Sequence, residues 1–238
     1  MTDFAEIWAY LARGPLLWLT ATLAAWALAD ALSRALGRAP LANPVFFAVM
    51  LLAGLLWLTG TPYATYFEGA QFVHFMLGPA TVALALPLHA QVPRLRRAAL
   101  PVLAALLAGS ATAVASALVI ARALGVEGVV LLSLAPKSAT APVAMGVAER
   151  IGGSPTLAAV LVILTGLVGA VIATPLLNVL RIRDWRARGL AAGVAAHGIG
   201  TARALQVHPV AGAFAGIGMG LNALLTALLV PLALVWLG

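Results

Sequence analysis

The chain has 238 residues, of which 63% are hydrophobic and only 9% are charged. Soluble domains have about half apolar and about a quarter charged residues, so this composition excludes a soluble globular protein. The formal charge of +7 does not indicate nucleic-acid binding, because the arginines form short clusters between apolar blocks and no basic face alternates with aromatic residues. We therefore expect an integral membrane protein.

The apolar blocks are about 17 to 25 residues long, the length that a helix needs to cross the hydrocarbon core. They lack the alternating pattern of outer-membrane barrel strands. The sequence therefore predicts an all-α, polytopic membrane helical bundle with about seven to eight hydrophobic segments. The segments are expected at about Pro15–Leu32, Pro44–Gly60, Phe72–His89, Ala99–Ala121, Gly128–Ala148, Thr156–Leu180 and Val210–Trp236.

The distribution of arginine suggests how these segments cross the membrane. If every block crossed once, Arg94–Arg97 would be cytoplasmic while the denser cluster Arg181–Arg188 would lie outside, against the usual bias of positive charge. One block must then fold back. The prolines of Gly128–Ala148 make it the expected re-entrant segment, and Gly189–Gln206 is too short and too polar to span. The connector Thr61–Gln71 has no lysine or arginine, as is typical of the non-cytoplasmic side.

The stretch Leu134–Ala144 contains Lys137, the only lysine of the chain, inside an apolar block. A charge within the membrane is costly and marks a functional position by default. No acidic residue stands in the same segment, so we expect the partner of Lys137 to come from outside the chain. The alternative is a structural lysine that caps free carbonyls.

Two prolines bracket this lysine. Pro136 and Pro142 cannot donate a backbone hydrogen bond, so they release carbonyls from the helix, including that of Ser138. Such irregular backbone survives at membrane depth only inside protein or beside a watery cavity. Thr140 is a candidate N-cap for a half-helix that begins at Ala141, whose free N–H groups would attract an anion near mid-membrane.

Similar breaks are expected elsewhere. Gly78 and Pro79 predict a half-helix that begins at Pro79 and contains Thr81, and Pro87 interrupts the same block again. Several Gly/Pro-interrupted segments in an apolar chain point to the central site of a secondary transporter.

Gly200 and Thr201 predict a third half-helix, which contains Arg203. The planar guanidinium of Arg203 suits a carboxylate, and two buried cations without a buried acid imply an anionic substrate. Arg203 could instead lie at the interface beside lipid phosphates. His197 is either a packing residue or a proton carrier, and Asn222 either bonds across helices or faces the cavity.

Other residue patterns are weaker. The last span is expected to pack closely through a stripe of small residues, Gly212, Gly216 and Gly220. Four scattered histidines without nearby carboxylates predict no metal site, and no cofactor motif is present. Ser133 lies one turn from Lys137, which leaves an intramembrane Ser–Lys hydrolase as a minor alternative to a non-enzymatic protein.

Two motifs resemble the signature stretches of the LrgB/CidB family. They are Leu134–Met145 (LAPKSATAPVAM) and Ala196–Ala204 (AHGIGTARA), and Pro79–Leu88 and Arg181–Arg183 also match in the family's order. His89 and Ala141 replace the family's usual tyrosine and second threonine. The resemblance begins at about Asn43, so residues 1–238 are interpreted as one LrgB-like membrane domain, with residues 1–42 as an interfacial lead and first span and residues 43–238 as the core.

The resemblance implies a multi-pass protein of the bacterial inner membrane, encoded with a smaller LrgA/CidA-type partner. Family members are described as antiholin-like regulators of murein hydrolase export and lysis. The related plastid translocator carries glycolate and glycerate, and bacterial relatives are linked to pyruvate. These small monocarboxylates suit the cationic site predicted above.

The sequence therefore predicts a transporter of small anionic monocarboxylates, with an antiholin-like or holin-like membrane protein as the alternative. We expect a homo-oligomer, most simply a dimer, embedded in lipid, and no nucleic-acid partner. The expected substrate-binding residues are Lys137, Ser138, Thr140, Thr81, Gly200, Thr201 and Arg203, with His197 as a candidate for proton coupling.

Overall fold

The computed structural model describes residues 14–39, 42–76, 79 and 98–237. The regular elements within these residues are all helices, which confirms the predicted all-α membrane class. They are α1 Pro15–Ala35, α2 Pro44–Thr59, α3 Tyr63–Phe75, α4 Ala99–Ala123, α5 Gly128–Leu134, α6 Ala141–Arg150, α7 Pro155–Val179, α8 Trp185–Val207 and α9 Pro209–Leu237. Of these described helices, α1, α4, α7 and α9 are long and apolar enough to cross a membrane.

The chain divides into two compact units, residues 1–85 and 86–238. This boundary differs from the subdivision expected at residue 42, and the single domain stays a prediction. The predicted breaks at Gly78 and Pro87 and the predicted role of Thr81 lie outside the described residues, and of that stretch only Pro79 is described.

The first unit contains α1, α2 and α3. Trp18 of α1 is 1% exposed and its ring meets that of Tyr66 edge-on, with centroids 5.9 Å apart. A Cβ at Gly69 would lie 2.8 Å from the Cβ of Trp18, so glycine lets α3 approach α1 closely. The connector expected at Thr61–Gln71 is mostly helical, since α3 begins at Tyr63, and Tyr66 of this helix packs against α1.

The second unit contains a helical hairpin formed by α5 and α6, which we call hairpin 1. Ser154, just beyond α6, donates its backbone N–H to Oγ of Ser133 in α5 at 2.8 Å. A continuous helix would separate two residues at this spacing by about 30 Å. The chain must therefore turn back between α5 and α6, as the predicted re-entry of the Lys137 segment requires; the re-entry into a membrane stays a prediction.

Helix α8 is also bent into a hairpin, which we call hairpin 2. The rings of Trp185 and His208, at its two ends, stack with centroids 4.8 Å apart, whereas a straight helix of this length would span about 35 Å. The turn lies at Ala196 and His197, whose backbone angles are not helical. Hairpin 2 thus has a first arm, residues 185–195, and a second arm, residues 198–207.

The break predicted at Gly200 and Thr201 is therefore misplaced by about one turn of helix. Gly200 has a different purpose, because a Cβ at this residue would lie 2.6 Å from both the carbonyl oxygen of Ala192 and the Cβ of Ala196. Its missing side chain allows the two arms of hairpin 2 to lie side by side.

Helix α9 packs against the first arm through small residues. Cβ atoms added at Gly189 and Gly193 would overlap the backbone of Ala211 and Ala215, respectively. The predicted glycine stripe of α9 is correct at Gly212, which contacts Leu205, and wrong at Gly220, which has open space beside it. The closest backbone approach uses glycines of α8 and alanines of α9, which the stripe did not indicate.

The two hairpins determine the chain topology of this unit. Each returns to the side from which it starts, so if α4, α7 and α9 each cross, the loop 180–184 and His208 lie on one side and the loops 124–127 and 151–154 on the other. Arg181 and Arg183, in the loop after α7, then lie on the same side as the start of α4, which Arg94–Arg97 precede in the sequence. This agrees with the positive-inside rule. The orientation of the chain in a membrane stays a prediction.

Candidate functional site at the hairpin tips

The tip of hairpin 1 is the non-helical stretch 135–140. Its backbone turns are tight, because Lys137 N–H donates to the Leu134 carbonyl at 3.0 Å and Ala139 N–H donates to the Pro136 carbonyl at 2.9 Å. Thr140 has extended backbone at the N-cap and α6 begins at the next residue with a proline in its first turn. The predicted break and half-helix are confirmed, although the Thr140 side chain makes no capping hydrogen bond.

Lys137 projects from this tip into a cavity of about 500 Å³ between α7 and the first arm of hairpin 2. Its Nζ lies 3.3 Å from Oγ of Ser138, to which it donates. Among the described residues, the ion pairs involve Asp30 and Asp184 and none involves Lys137. The described walls of the cavity are apolar apart from Lys137 and Thr165, so the ammonium group is available to a ligand.

The tip of hairpin 2 is held by His197, which is 4% exposed. Its ring Nε2 lies 2.7 Å from the carbonyl oxygen of Val162 in α7. A carbonyl can only accept, so Nε2 carries the hydrogen and Nδ1 is the nitrogen that can gain a proton. The backbone of His197 has φ +39°, a rare conformation for a residue with a side chain. The contact with α7 therefore compensates for a strained turn, which supports the packing interpretation; proton coupling stays a prediction.

Asn222, in the middle of α9, connects the two tips and is fully buried. Its Nδ2 donates to the Ser138 carbonyl at 2.8 Å and to the Val194 carbonyl at 3.2 Å. Its Oδ1 accepts a hydrogen bond from Ser110 of α4 at 2.5 Å. The Ser138 carbonyl is the one that Pro142 was predicted to release. A buried carbonyl without a partner costs about 1–3 kcal/mol, so this one side chain stabilises both breaks.

Thr201 lies near the tip of hairpin 2, but its Oγ1 donates to the His197 carbonyl at 2.8 Å. It thus satisfies a backbone group at the turn rather than lining the Lys137 cavity. Its assignment to substrate binding, like that of Gly200, stays a prediction.

Arg203 lies in a different cavity from Lys137. It lines a space of about 30 Å³ near the ends of hairpin 2, together with Arg188 and Trp185. The two cavities share parts of their walls, including Ala173 and Leu177. The structure therefore does not bring the two predicted cations together in one cavity, and the substrate-binding role of Arg203 stays a prediction.

Arg188 is a buried cation that the sequence did not reveal, since it belongs to an arginine-rich loop. It is 8% exposed, its guanidinium donates to the Ile182 carbonyl at 2.9 Å, and it lies 5.0 Å from the Trp185 ring centroid. Nearby Asp184 caps α8 by accepting from Arg186 N–H at 2.8 Å. The side-chain hydrogen bond from Arg186 holds the pKa of Asp184 below its usual range. These contacts order the base of hairpin 2.

The Ser–Lys arrangement of a hydrolase is not formed. Ser133 Oγ donates to the Val129 carbonyl at 2.7 Å and accepts from Ser154 N–H, while Lys137 contacts Ser138 instead. The hydroxyl of Ser133 thus closes hairpin 1. That the protein is not an enzyme stays a prediction.

The helices and hairpins together define a polytopic membrane protein with helices broken near its buried tips. The chain belongs to the LrgB-like family, whose model matches residues 22–236, as the resemblance of the two motifs indicated. It is similar to the uncharacterized protein YwbG of Bacillus subtilis (38% identical, covering 81% of this chain and 85% of the relative). It is also similar to the antiholin-like protein LrgB of Bacillus mycoides (30% identical, covering 82% and 85%). No solved structure matches the chain.

The contact between α7 and His197 gives a first testable prediction. A Cβ at Gly166 would lie 2.6 Å from Cε1 of His197, so Gly166→Ala should displace the ring from Val162 and lower the free energy of unfolding by about 1–3 kcal/mol. Thermal unfolding in detergent measures this. Gly146→Ala, where a Cβ meets nothing within 4 Å, is the matched control.

A double-mutant cycle tests the cause. In a His197→Ala background, Gly166→Ala should cost clearly less than in the native chain, because the clashing ring is gone. Equal costs in both backgrounds would show that the clash is not with His197.

Proposed function

We propose that this protein is a secondary transporter of small anionic monocarboxylates of the glycolate, glycerate or pyruvate type. The observation that carries the proposal is Lys137, which lies at the tip of a broken helix, lines a cavity of about 500 Å³ and has no ion pair with a described acid. A partly buried cation in an apolar membrane segment favours a negatively charged ligand.

The backbone near Lys137 adds to the positive potential. Helix α6 begins at the tip of hairpin 1, and the second arm of hairpin 2 begins just after His197. The first N–H groups of a helix have no intrahelical partners and attract anions. A small carboxylate could therefore accept hydrogen bonds from Lys137, from the Ser138 hydroxyl and from such N–H groups.

The apolar walls of the cavity favour a small organic acid over a strongly hydrated inorganic ion. Leu161 and Ala195 are among the apolar residues that line the same cavity as Lys137. A cavity that combines apolar walls with a few polar groups is typical of a site for a small molecule. Thr140, Thr201 and Arg203 are proposed as further substrate contacts that form during the transport cycle, and His197 as a proton carrier.

The proposal includes a location in the bacterial inner membrane, a dimeric assembly and a smaller LrgA/CidA-type membrane partner. The alternative function is an antiholin-like or holin-like protein that regulates murein hydrolase export and lysis. The name of the Bacillus mycoides relative, antiholin-like protein LrgB, supports this alternative.

Uptake into proteoliposomes tests the two functions. The purified protein is reconstituted in vesicles, and the uptake of radiolabelled glycolate, pyruvate and lactate is measured beside the release of an enclosed fluorescent dye. A transporter should accumulate at least one of the acids in a saturable manner and retain the dye. Dye release without saturable uptake would contradict the proposal and favour a pore.

A further inference from the structure

The carboxamide of Asn222 makes hydrogen bonds to three separate segments. Its two N–H groups reach hairpin 1 at the Ser138 carbonyl and hairpin 2 at the Val194 carbonyl, and its oxygen accepts from Ser110 of α4. We infer that Asn222 is a positioning residue that clamps the two hairpin tips together, so that they move as one body and present Lys137 in a fixed place. The effect on transport rests on the proposed function, whereas the clamp itself does not.

The chemistry of this position requires an amide. Both tip carbonyls are acceptors, so their bridge must supply two donors from one short side chain, which asparagine does. The hydroxyl of Ser110 donates to the amide oxygen and thereby fixes which end of the carboxamide faces the tips. An aspartate has the same size but would direct an oxygen at the two carbonyls.

The clamp determines where the ammonium group of Lys137 lies. Lys137 is the residue before Ser138, whose carbonyl is held by Asn222, while Ala195 and Ala196 of hairpin 2 line the same cavity as Lys137. Without the bridge, the two walls of this cavity would belong to segments that shift separately. A carboxylate would then meet a poorly placed ammonium group.

The matched control lies one turn further along α9. Thr226 is 1% exposed, and its hydroxyl has no hydrogen-bond partner among the described residues. Thr226→Ala therefore changes a buried polar residue of the same helix without touching the clamp. Asn222→Asp preserves volume but leaves at most one donor, the O–H of a protonated carboxyl, for the two carbonyls.

Distances between spin labels test the clamp directly. The sequence contains no cysteine, so cysteines introduced at the exposed residues Glu149 and Ala202 would place one label on each hairpin of the full-length protein in nanodiscs. We expect one narrow distance distribution in the native chain and in Thr226→Ala. In Asn222→Asp the distribution should broaden about twofold, since one carboxyl cannot donate to both carbonyls and at least one tip loses its hydrogen bond.

Uptake by the unlabelled variants adds a second measurement. Misplacement of Lys137 should raise the KM for the carboxylate about tenfold in Asn222→Asp, the equivalent of one hydrogen bond, and leave it unchanged in Thr226→Ala. An equally narrow distribution in Asn222→Asp and Thr226→Ala would overturn the clamp. If the distance distribution broadens in Asn222→Asp but the native protein transports no carboxylate, the clamp is supported and the proposed transport function is overturned.

Discussion

Replacement of Lys137 by glutamine should lower carboxylate uptake to a small fraction of the native rate. The ammonium group is the one side-chain charge among the described residues that line the 500 Å³ cavity, and its Nζ has Ser138 Oγ as its hydrogen-bond partner. Loss of one member of a buried charge pair costs about 2–5 kcal/mol, which lowers the uptake rate at limiting substrate by about thirtyfold or more. Initial rates in proteoliposomes measure the effect.

Two variants make this result specific. Lys137→Arg retains the charge but replaces a compact ammonium with a planar fork, so it should retain partial uptake. Arg186→Gln removes a positive charge from an exposed ion pair with Asp184 outside the Lys137 cavity, and should leave uptake within about twofold of native, because exposed pairs contribute little. Native rates in Lys137→Gln would remove the proposed mechanism.

The largest effect on stability is expected from Gly193→Val. A side chain at this position would overlap the backbone of Ala215, so α9 would have to separate from the first arm of hairpin 2. We expect a loss of about 3 kcal/mol or more, at the upper end for overpacking. Thermal unfolding followed by circular dichroism should show a Tm about 6–12 °C lower.

Gly220→Val is the control for this prediction. Gly220 also lies in a helix of this unit but has open space where a Cβ would be added. Valine is an equally poor helix former at both positions, so the difference between the two variants isolates the helix contact. An equal change in Tm would show that the close approach of Gly193 and Ala215 is not required.

The helix-breaking and capping residues around Lys137 predicted hairpin 1 correctly. Pro136 and Pro142 bracket the stretch that leaves the helix, and α6 begins at the residue after Thr140, as predicted. The arginine bias indicated a re-entrant segment, and the contact between Ser154 and Ser133 shows that this segment turns back on itself. The two prolines and Thr140 stand a few positions apart, which is why the sequence alone could predict this break.

Hairpin 2 was harder because long-range contacts create it. The turn lies at Ala196 and His197, neither of which is a proline or a glycine. It depends on the contact of His197 with Val162 of α7, which is distant in the sequence. Gly200 was interpreted as the start of a helix, whereas it permits contact with the first arm. Gly198 and Gly200 follow this turn closely, but neither glycine occupies the turn itself.

The same limit applies to the residues around the tips. An isolated asparagine in the apolar span α9 indicated a cross-helix bond, but nothing in the sequence specified Ser138 and Val194 as its acceptors. Arg203 was expected beside Lys137 because both are cations near predicted breaks, yet it lines the smaller cavity. The bend of α8 determines this separation. It was predicted at Gly200 and Thr201, whereas it lies at Ala196 and His197.

The proposed transport depends most on where the ammonium group of Lys137 lies and what it binds. A structure determined by electron cryo-microscopy in lipid nanodiscs, with and without millimolar pyruvate or glycolate, tests both points. We expect two hairpins whose tips meet at Asn222, and ligand density within about 3 Å of Lys137 Nζ, the length of a charge-assisted hydrogen bond. An unbroken helix through residues 128–150, with Lys137 among the lipid headgroups, would contradict the account.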